Sequence, residues 1–427
     1  MKKTLKRILS VMLVIVLALS VAACGDSYEL NSEAILKKIP SELKGTTIKF
    51  ANWYNPDDRG EEGKVIDAFE EMTGIKVEVI QLPYATFVQD VAALVEAGNA
   101  PDVVRIKYPS PKRLEYLQPI EEATGFDFSS KAWDETIKNM YTYNGKCYAV
   151  NTVKTPFSSP SFLFYNTATM QARGYEDPFE LWKKGEWTWE KFEAMCKDWV
   201  AQGDNYYGAY LNQPVTATTG NDIVMRKGNL VELDITNASA MKTWKYQEDG
   251  AANRIFAKDN KGFDENEQTK LFATSDATAT QSWSGSFKKT RVKGTLACVP
   301  YPTNGNLDEY YLPMQENLGF GVCKGAKNAK AVPYFLAYIL DIDNYNLEDK
   351  NFFENEQMKS CYLESLNITN RHNNYIDDVL TFSGEMKNVQ YGLANRKSTE
   401  IDKYLQDNKD KLQKSVDEYN KAILAIN

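Results

Sequence analysis

A repeated alternation of strand and helix patterns constrains this fold more than any other feature of the sequence. Residues 47–52 form a β-prone, alternating segment, and residues 75–80 and 102–106 give two further strand patterns. Helical patterns at residues 63–72 and 84–97 separate the three strands, and each is followed by a glycine. This β-α-β-α-β run predicts parallel strands joined by right-handed crossovers, so we expect an α/β fold.

Length and composition exclude several classes of protein. The 427 residues exceed one typical hydrophobic core and fit two lobes with tails. The formal net charge of −8 argues against a nucleic-acid partner, which would need a basic face. Because His372 is the single histidine, a catalytic Ser-His or Cys-His pair and nearly every zinc site would have to use it. We predict no catalytic residue, no metal site and no cofactor.

The first 23 residues have the pattern of a signal peptide. Basic residues precede an apolar run at residues 8–19, which is too short to span a bilayer. The run ends in the sequence VAAC, which resembles a lipobox, and its Cys24 would be diacylated on sulfur. We therefore expect an extracytoplasmic protein that is lipid-anchored to the cell membrane, with residues 24–45 as a polar tether.

The remaining cysteines predict free thiols. They are five in number, so they cannot all pair, and none has a C-x-x-C spacing. All lie among apolar or helical neighbours, which favours buried thiols over a disulfide scaffold. They are Cys147, Cys196, Cys298, Cys323 and Cys361.

Several stretches carry a family resemblance when taken in order along the chain. They are FEEMTGIKV (69–77), AGNAPDVV (97–104), SFLFYN (161–166), WTWEKF (187–192) and NLGFGV (317–322). In this order they resemble the extracellular solute-binding proteins of family 1, which are the sugar-binding components of bacterial ABC importers.

The resemblance implies a two-lobe, type II periplasmic-binding fold with a ligand cleft between lobes joined by hinge crossings. It also implies a carbohydrate ligand, either a mono- or an oligosaccharide, an ABC permease as partner, and a monomer. The lobe limits expected on this basis are 46–157 and 319–362 for the first lobe, and 158–318 and 363–427 for the second.

Aromatic and polar side chains follow the predicted strands of the first lobe. Ligands bind beyond the carboxyl ends of strands in open α/β sheets, so we expect these side chains in the cleft. An aromatic face binds the C–H face of a sugar, and amides and carboxylates bind its hydroxyls. The candidates are Trp53, Tyr54, Asn55, Asp57 and Asp58 after the first strand, and Lys107 and Tyr108 after the third.

Further candidates lie in the crossing and the second lobe. Ser158 and Ser159 belong to the segment that passes between the lobes, and Tyr210 and Asn212 lie at a strand end. Trp283 lies where the resembling family often places a stacking aromatic.

A late polar loop departs from the family pattern. It contains the candidates Arg371 and Asn374, whereas better-known maltose binders carry a tryptophan in the corresponding segment. This departure argues against a malto-oligosaccharide as the ligand.

Alternative interpretations remain open for several of these residues. Core packing is the alternative for Trp53 and Trp283, and Trp187 and Trp189 are expected to fasten a helix start to its sheet. The two aspartates after Trp53 would also suit a cationic solute such as a polyamine or a peptide. A secreted glycoside hydrolase is the rival from another class, because it needs only two carboxylates.

Overall fold

The computed structural model describes residues 28–107, 109–257, 269–276, 296–348, 353, 355–372, 379 and 400–426. Within this part of the chain, the architecture is a two-lobe α/β fold. One lobe is organised around a six-stranded sheet and the other around a five-stranded sheet.

The strands are numbered in chain order. They are β1 (Thr47–Asn52), β2 (Lys76–Gln81), β3 (Val103–Ile106), β4 (Leu117–Gln118), β5 (Thr142–Tyr143), β6 (Lys146–Cys147), β7 (Ala149–Val150), β8 (Ser159–Asn166), β9 (Tyr207–Tyr210), β10 (Val224–Lys227), β11 (Leu230–Leu233), β12 (Lys270–Asp276), β13 (Leu296–Pro300), β14 (Met314–Glu316) and β15 (Gly319–Cys323).

The α-helices are numbered in the same way. They are α1 (Ser32–Leu36), α2 (Glu61–Thr73), α3 (Phe87–Glu96), α4 (Pro111–Leu114), α5 (Ile120–Thr124), α6 (Glu135–Met140), α7 (Thr167–Arg173), α8 (Pro178–Lys183), α9 (Trp189–Val200), α10 (Ala238–Ala252), α11 (Val332–Ile339), α12 (Glu356–Ser365) and α13 (Ile401–Leu424). Short 3-10 helices span Ser41–Leu43, Pro56–Arg59, Val215–Thr218, Leu307–Glu309, Ala329–Ala331 and Ile342–Asn344.

The first sheet confirms the parallel strands predicted from the sequence. Its order is β2-β1-β3-β15-β4, and β7 also pairs with β15. β1 runs parallel to both β2 and β3, with α2 and α3 as the intervening helices. On one face Phe50 lies 5.5 Å from Phe335 of α11 between ring centroids, and on the other Ala51 shares an apolar cluster with Phe87 of α3. Burial on both faces explains the apolar character of these strands.

The second sheet is built around β8. Its order is β13-β8-β12-β9, and β14 also pairs with β8. Every residue of β8 is buried, which accounts for the nearly continuous apolar run in its sequence. Phe272 of β12 packs against Trp187 and Phe192, with centroid distances of 5.8 and 5.5 Å. These contacts fix the start of α9 against the sheet.

Two neighbouring segments connect strands of one sheet directly to strands of the other. The first runs from the end of β7 to the start of β8, and the second contains only Asn317 and Leu318, between β14 and β15. The Asn151 side chain joins them, because its Nδ2 donates to the carbonyl oxygen of Leu318 at 3.0 Å. Gly319 begins β15 against Tyr141, and an added Cβ would lie 2.8 Å from that ring. Close packing therefore requires glycine at this point.

Residues 28–45 are packed structure, which corrects the prediction of a tether over residues 24–45. α1 packs against α11, and Leu30, Leu36 and Leu43 lie in the apolar core. These leucines are widely spaced in a polar segment, so no helical or strand periodicity revealed their burial.

Helix α12 lies with the second sheet, before the lobe boundary predicted at residue 363. It packs against β13. Gln357 makes two hydrogen bonds with the backbone of Cys298, accepting from its N–H at 2.9 Å and donating to its carbonyl oxygen at 2.7 Å. The chain therefore returns to the second sheet earlier than the sequence indicated.

Arg226 of β10 fastens a hairpin of the second lobe to the first lobe. It donates to the carbonyl oxygens of Asn139 and Met140 at 2.7 and 2.9 Å, and to that of Thr142. Its guanidinium also lies 4.4 Å from the ring centroid of Tyr143. These carbonyls include the C-terminal end of α6, where a positive charge is favourable.

The cysteines and the longest described helix complete the fold. All five cysteines named above are free, as predicted, and all but the half-buried Cys147 are buried.

α13 packs against β11, α10 and α4. In the described part of the chain, no helix combines the length and the apolar character needed to cross a membrane.

Candidate ligand-binding cleft

The topology brings the carboxyl ends of most strands in both sheets to the same place, where the antiparallel strands β8 and β15 begin. β14 ends at Glu316 and β15 begins at Gly319, where it pairs with Ile106 at the end of β3. In the second sheet, the ends of β9, β12, β13 and β14 all lie at the edge where β8 begins. Since only short crossings separate the two edges, the loops beyond them line a common cleft.

An aromatic cluster surrounds Trp53 on the first-lobe side of this cleft. The half-buried indole meets Tyr54, Tyr84 and Phe87 edge-on, at centroid distances of 6.2, 6.0 and 5.5 Å. Tyr84 is 61% exposed. The cluster therefore combines a packed inner side with aromatic surface that solvent or a ligand reaches.

Below this cluster, a buried ion pair holds Tyr54. The Tyr54 hydroxyl donates to Glu62 Oε2 at 2.7 Å, and Arg105 Nη2 donates to Glu62 Oε1 at 2.7 Å. The guanidinium lies 4.3 Å from the ring centroid of Phe157, which belongs to the first crossing. Burial lowers the pKa of Arg105 to about 9, so the group stays protonated at neutral pH.

A second ion pair joins the two sides at the crossing. Lys107, beyond β3, pairs with Glu316 at the end of β14. The Lys107 ammonium also lies 5.1 Å from the ring centroid of Trp53 and 4.6 Å from that of Tyr84. One lysine thus links the aromatic cluster to the second sheet.

A network of amides and hydroxyls lies at the edge of the second sheet. The backbone N–H of Asn212 donates to Thr274 Oγ1 at 2.7 Å, and its Nδ2 donates to Gln315 Oε1 at 2.7 Å. The Tyr301 hydroxyl donates to Asn212 Oδ1 at 3.1 Å. Tyr210, at the end of β9, is half-buried beside this network. These groups offer donors and acceptors at the edge of the second sheet, next to the strand end that Lys107 connects to the aromatic cluster.

The two crossing serines are deeply buried in this conformation. Ser158 is 3% exposed and Ser159 is 0% exposed. Within the described residues, neither hydroxyl oxygen has a hydrogen-bond partner. Their predicted role at the ligand remains a prediction.

Four further predicted site residues belong to neither the aromatic cluster nor the amide network. Arg371 is buried, and it pairs with Asp134 at 2.8 Å and donates to the carbonyl oxygen of Val153 at 2.8 Å. Its charge is therefore neutralised by the protein itself. Asn55 caps the short helix Pro56–Arg59, and Asp57 and Asp58 are exposed there.

Four predicted site residues lie outside the described residues. They are Cys24, Tyr108, Trp283 and Asn374. Trp187 is buried and its indole N–H donates to the carbonyl oxygen of Pro300 at 3.0 Å, which is the expected fastening role. Trp189 is half-buried and lies 5.4 Å from Phe192 between ring centroids.

The sequence did not identify four of the side chains that build this site, among them the fully buried Tyr301 that holds Asn212. Tyr84 comes shortly after β2, and Tyr301 directly follows β13, so the strand-end rule applied to those strands would have found both. Gln315 and Glu316 end β14, just before the crossing recognised in the sequence. Their contacts with Asn212 and Lys107 depend on the tertiary fold.

Potential metal ligands and the single histidine can be located within the described residues. No group of three or more His, Cys, Asp or Glu side chains there could hold a metal ion. His372 is fully buried, and burial lowers its pKa to about 4, so it is neutral at physiological pH.

Solved structures share this architecture at low sequence identity. The sugar-binding protein MalE from Xanthomonas citri has a TM-score of 0.62 and 11% identity, covering 89% of this chain and 98% of its own. An extracellular solute-binding protein from Staphylococcus aureus in complex with maltose has a TM-score of 0.61 and 14% identity, with 88% and 99% coverage. UgpB from Mycobacterium tuberculosis, in complex with glycerophosphocholine, has a TM-score of 0.59 and 15% identity, with 87% and 98% coverage.

Sequence comparison identifies the family. No curated protein sequence matches the chain significantly. Residues 64–348 match the family model described as "Bacterial extracellular solute-binding protein", which is more than half of the chain. Together with the two-lobe fold, this match shows that the chain belongs to the bacterial extracellular solute-binding protein family.

Proposed function

We propose that this protein captures a carbohydrate, either a mono- or an oligosaccharide, in the cleft and delivers it to an ABC permease. The observation that carries this proposal is the aromatic cluster around Trp53, which Lys107 and Glu316 connect to the edge of the second sheet where the amide network of Asn212 lies. Aromatic faces and paired polar groups are the chemistry that a sugar ring requires. The maltose complex of the similar Staphylococcus aureus protein supports the same ligand class.

The proposed mechanism is closure about the crossings. A ligand that contacts Trp53 on one side and Asn212 on the other would stabilise the closed arrangement, because each lobe supplies only part of the site. The permease would recognise the closed form of a monomer, and no chemistry on the ligand is required. We propose the lobe limits given above, with the return to the second lobe placed before α12.

A cationic ligand is the second candidate within the same binding class. Asp57 and Asp58 are exposed and would attract it. Lys107, however, already places an ammonium against the rings of Trp53 and Tyr84, where it would repel a second cation. The position over these two rings that a cation would take is therefore already occupied by Lys107, which favours a neutral ligand there.

Substitution of Trp53 tests the proposal. We expect Trp53→Ala to weaken sugar binding by roughly 1 to 3 kcal/mol, or about five- to 150-fold, because it removes the aromatic face. Trp53→Phe, the matched control, keeps a ring and should retain most of the affinity. A panel of mono- and oligosaccharides screened by thermal shift identifies the ligand for calorimetric titration.

Two results would contradict the carbohydrate proposal. Equal affinity of the wild type and Trp53→Ala would remove the aromatic cluster from the site. New reducing ends appearing at enzymatic rates during incubation with oligosaccharides would indicate a glycoside hydrolase instead.

We also propose that Cys24 carries a lipid after removal of residues 1–23. The support is the VAAC sequence directly after the apolar run. Cys24→Ala protein should leave the membrane fraction, whereas Cys147→Ala, the control, should stay there. Equal partitioning of the wild type and Cys24→Ala would refute the anchor.

A further inference from the structure

A second groove lies wholly within the second lobe. Its volume is about 660 Å³, and all its lining residues fall between positions 189 and 311. They come from the start of α9, the turn after β9, one face of α10 and the loop after β13. The groove shares no residue with the aromatic cluster or the amide network of the cleft.

Three half-buried aromatic side chains line this groove. Trp189 and Tyr246 meet at 5.8 Å between ring centroids, at an angle of 69°. Tyr311 is the third, and its backbone N–H donates to the carbonyl oxygen of Thr218 at 3.0 Å. Its ring lies against Gly220, where an added Cβ would be only 2.3 Å away. The Tyr311 ring therefore packs against the backbone at Gly220.

Exposed polar groups surround these rings. Glu190, Asp308 and Glu309 supply three carboxylates, whereas Lys242 supplies one ammonium. Amide and hydroxyl groups add further donors and acceptors, and they belong to Asn221, Asn304, Thr219, Ser239 and Thr243. The excess of carboxylates disfavours an anionic ligand.

We propose that this groove is a second carbohydrate site, which takes a neutral saccharide of two or three rings. Aromatic side chains would contact the C–H faces of the sugar, and the carboxylates, amides and hydroxyls would bind its hydroxyl groups. The volume lies within the range of small-molecule sites, ~300–1,000 Å³. Because one lobe supplies the whole lining, binding here does not depend on closure of the cleft or on the function proposed for it.

Titration of variants with maltotriose, cellotriose and xylotriose tests this site. Trp53→Ala weakens the cleft, and Ser239→Trp fills the groove from an exposed position on α10. Lys245→Trp is the matched control, because Lys245 is exposed on the same helix outside the groove and pairs only at the surface with Asp402. Urea unfolding of each variant checks that it is folded.

We expect at least one trisaccharide to bind the Trp53→Ala variant. Adding Ser239→Trp to this variant should weaken that binding by about tenfold or more, whereas adding Lys245→Trp should leave the affinity unchanged. Saccharide binding that Trp53→Ala abolishes and Ser239→Trp leaves intact would overturn the groove while sparing the cleft. Saccharide binding that Ser239→Trp abolishes and Trp53→Ala leaves intact would support the groove as a carbohydrate site and contradict the cleft as one. Binding of no trisaccharide at millimolar concentration, or groove-dependent binding of spermidine alone, would also overturn the proposal.

Discussion

The buried pair of Arg105 and Glu62 makes a quantitative prediction about what supports the cleft. Their side chains are only 2% and 3% exposed and are joined at 2.7 Å. Removing one partner from such a pair leaves an uncompensated buried charge, which costs about 3 to 5 kcal/mol. We therefore expect Arg105→Met to lower the free energy of unfolding of the unliganded protein by that amount.

A double-mutant cycle separates this charge effect from loss of packing. In Arg105→Met/Glu62→Leu both charges are gone, and apolar replacement of a whole buried pair is often neutral or stabilising. The double variant should thus recover most of the stability lost in Arg105→Met. Its remaining deficit should resemble that of Tyr54→Phe, because the Tyr54 hydroxyl loses its acceptor at Glu62.

Urea unfolding followed by circular dichroism is the assay, with equal denaturant slopes as the condition for comparing variants. Arg173→Met is the control: Arg173 pairs with Asp198 at the surface, where such pairs contribute at most about 1 kcal/mol. Additive losses in the double variant, or a loss below about 1 kcal/mol in Arg105→Met, would refute the reasoning.

Two further predictions concern pH and the contact between lobes. Burial lowers the pKa of His372 to about 4 from 6.5, so protonation favours the unfolded chain as pH falls from 6.5 to 4, and stability should fall by roughly 3 kcal/mol over that window. Burial raises the pKa of Asp222 to about 6, and this stabilises the folded protein as pH falls, opposing the effect of His372. The test is therefore to compare how the free energy of unfolding changes with pH in the wild type and in His372→Gln. Identical pH dependences would contradict the prediction for His372. Arg226→Ala should lower the free energy of unfolding by about 1 to 3 kcal/mol, because it leaves backbone carbonyls without their charged donor. Lys227→Ala, at an exposed position, is the control and should have almost no effect. Equal effects of the two substitutions would argue against the contact between the lobes.

Local patterns sufficed for the elements whose partners are close in sequence. The strand and helix patterns of residues 47–106 led directly to β1, β2 and β3 and to their parallel pairing. The rule that ligands bind at strand ends also led to Trp53 and Asn212, because it needs only the direction of each strand.

The parts that could not be predicted depend on contacts between distant segments. Lys107 and Glu316 are 209 positions apart, and neither side chain carries a local sign of its partner. The burial of Leu30 depends on a surface formed partly by α11, some 300 residues later. α12 is short, and it binds β13 through the side chains of Asn355 and Gln357, which make hydrogen bonds with the backbone of Leu296 and Cys298.

The packed N-terminal segment has a consequence for the proposed lipid anchor, because it would limit how far the protein can move from the membrane. If Cys24 carries the lipid, only four residue steps separate it from Tyr28, where the described structure begins. At ~3.5 Å per residue these steps reach at most ~14 Å. Glu29 forms an ion pair with Lys154 at 2.8 Å, which holds the start of the described chain against the first lobe. The first lobe would then stay within about one protein radius of the lipid surface, and encounter with a permease would become a search in two dimensions at high local concentration.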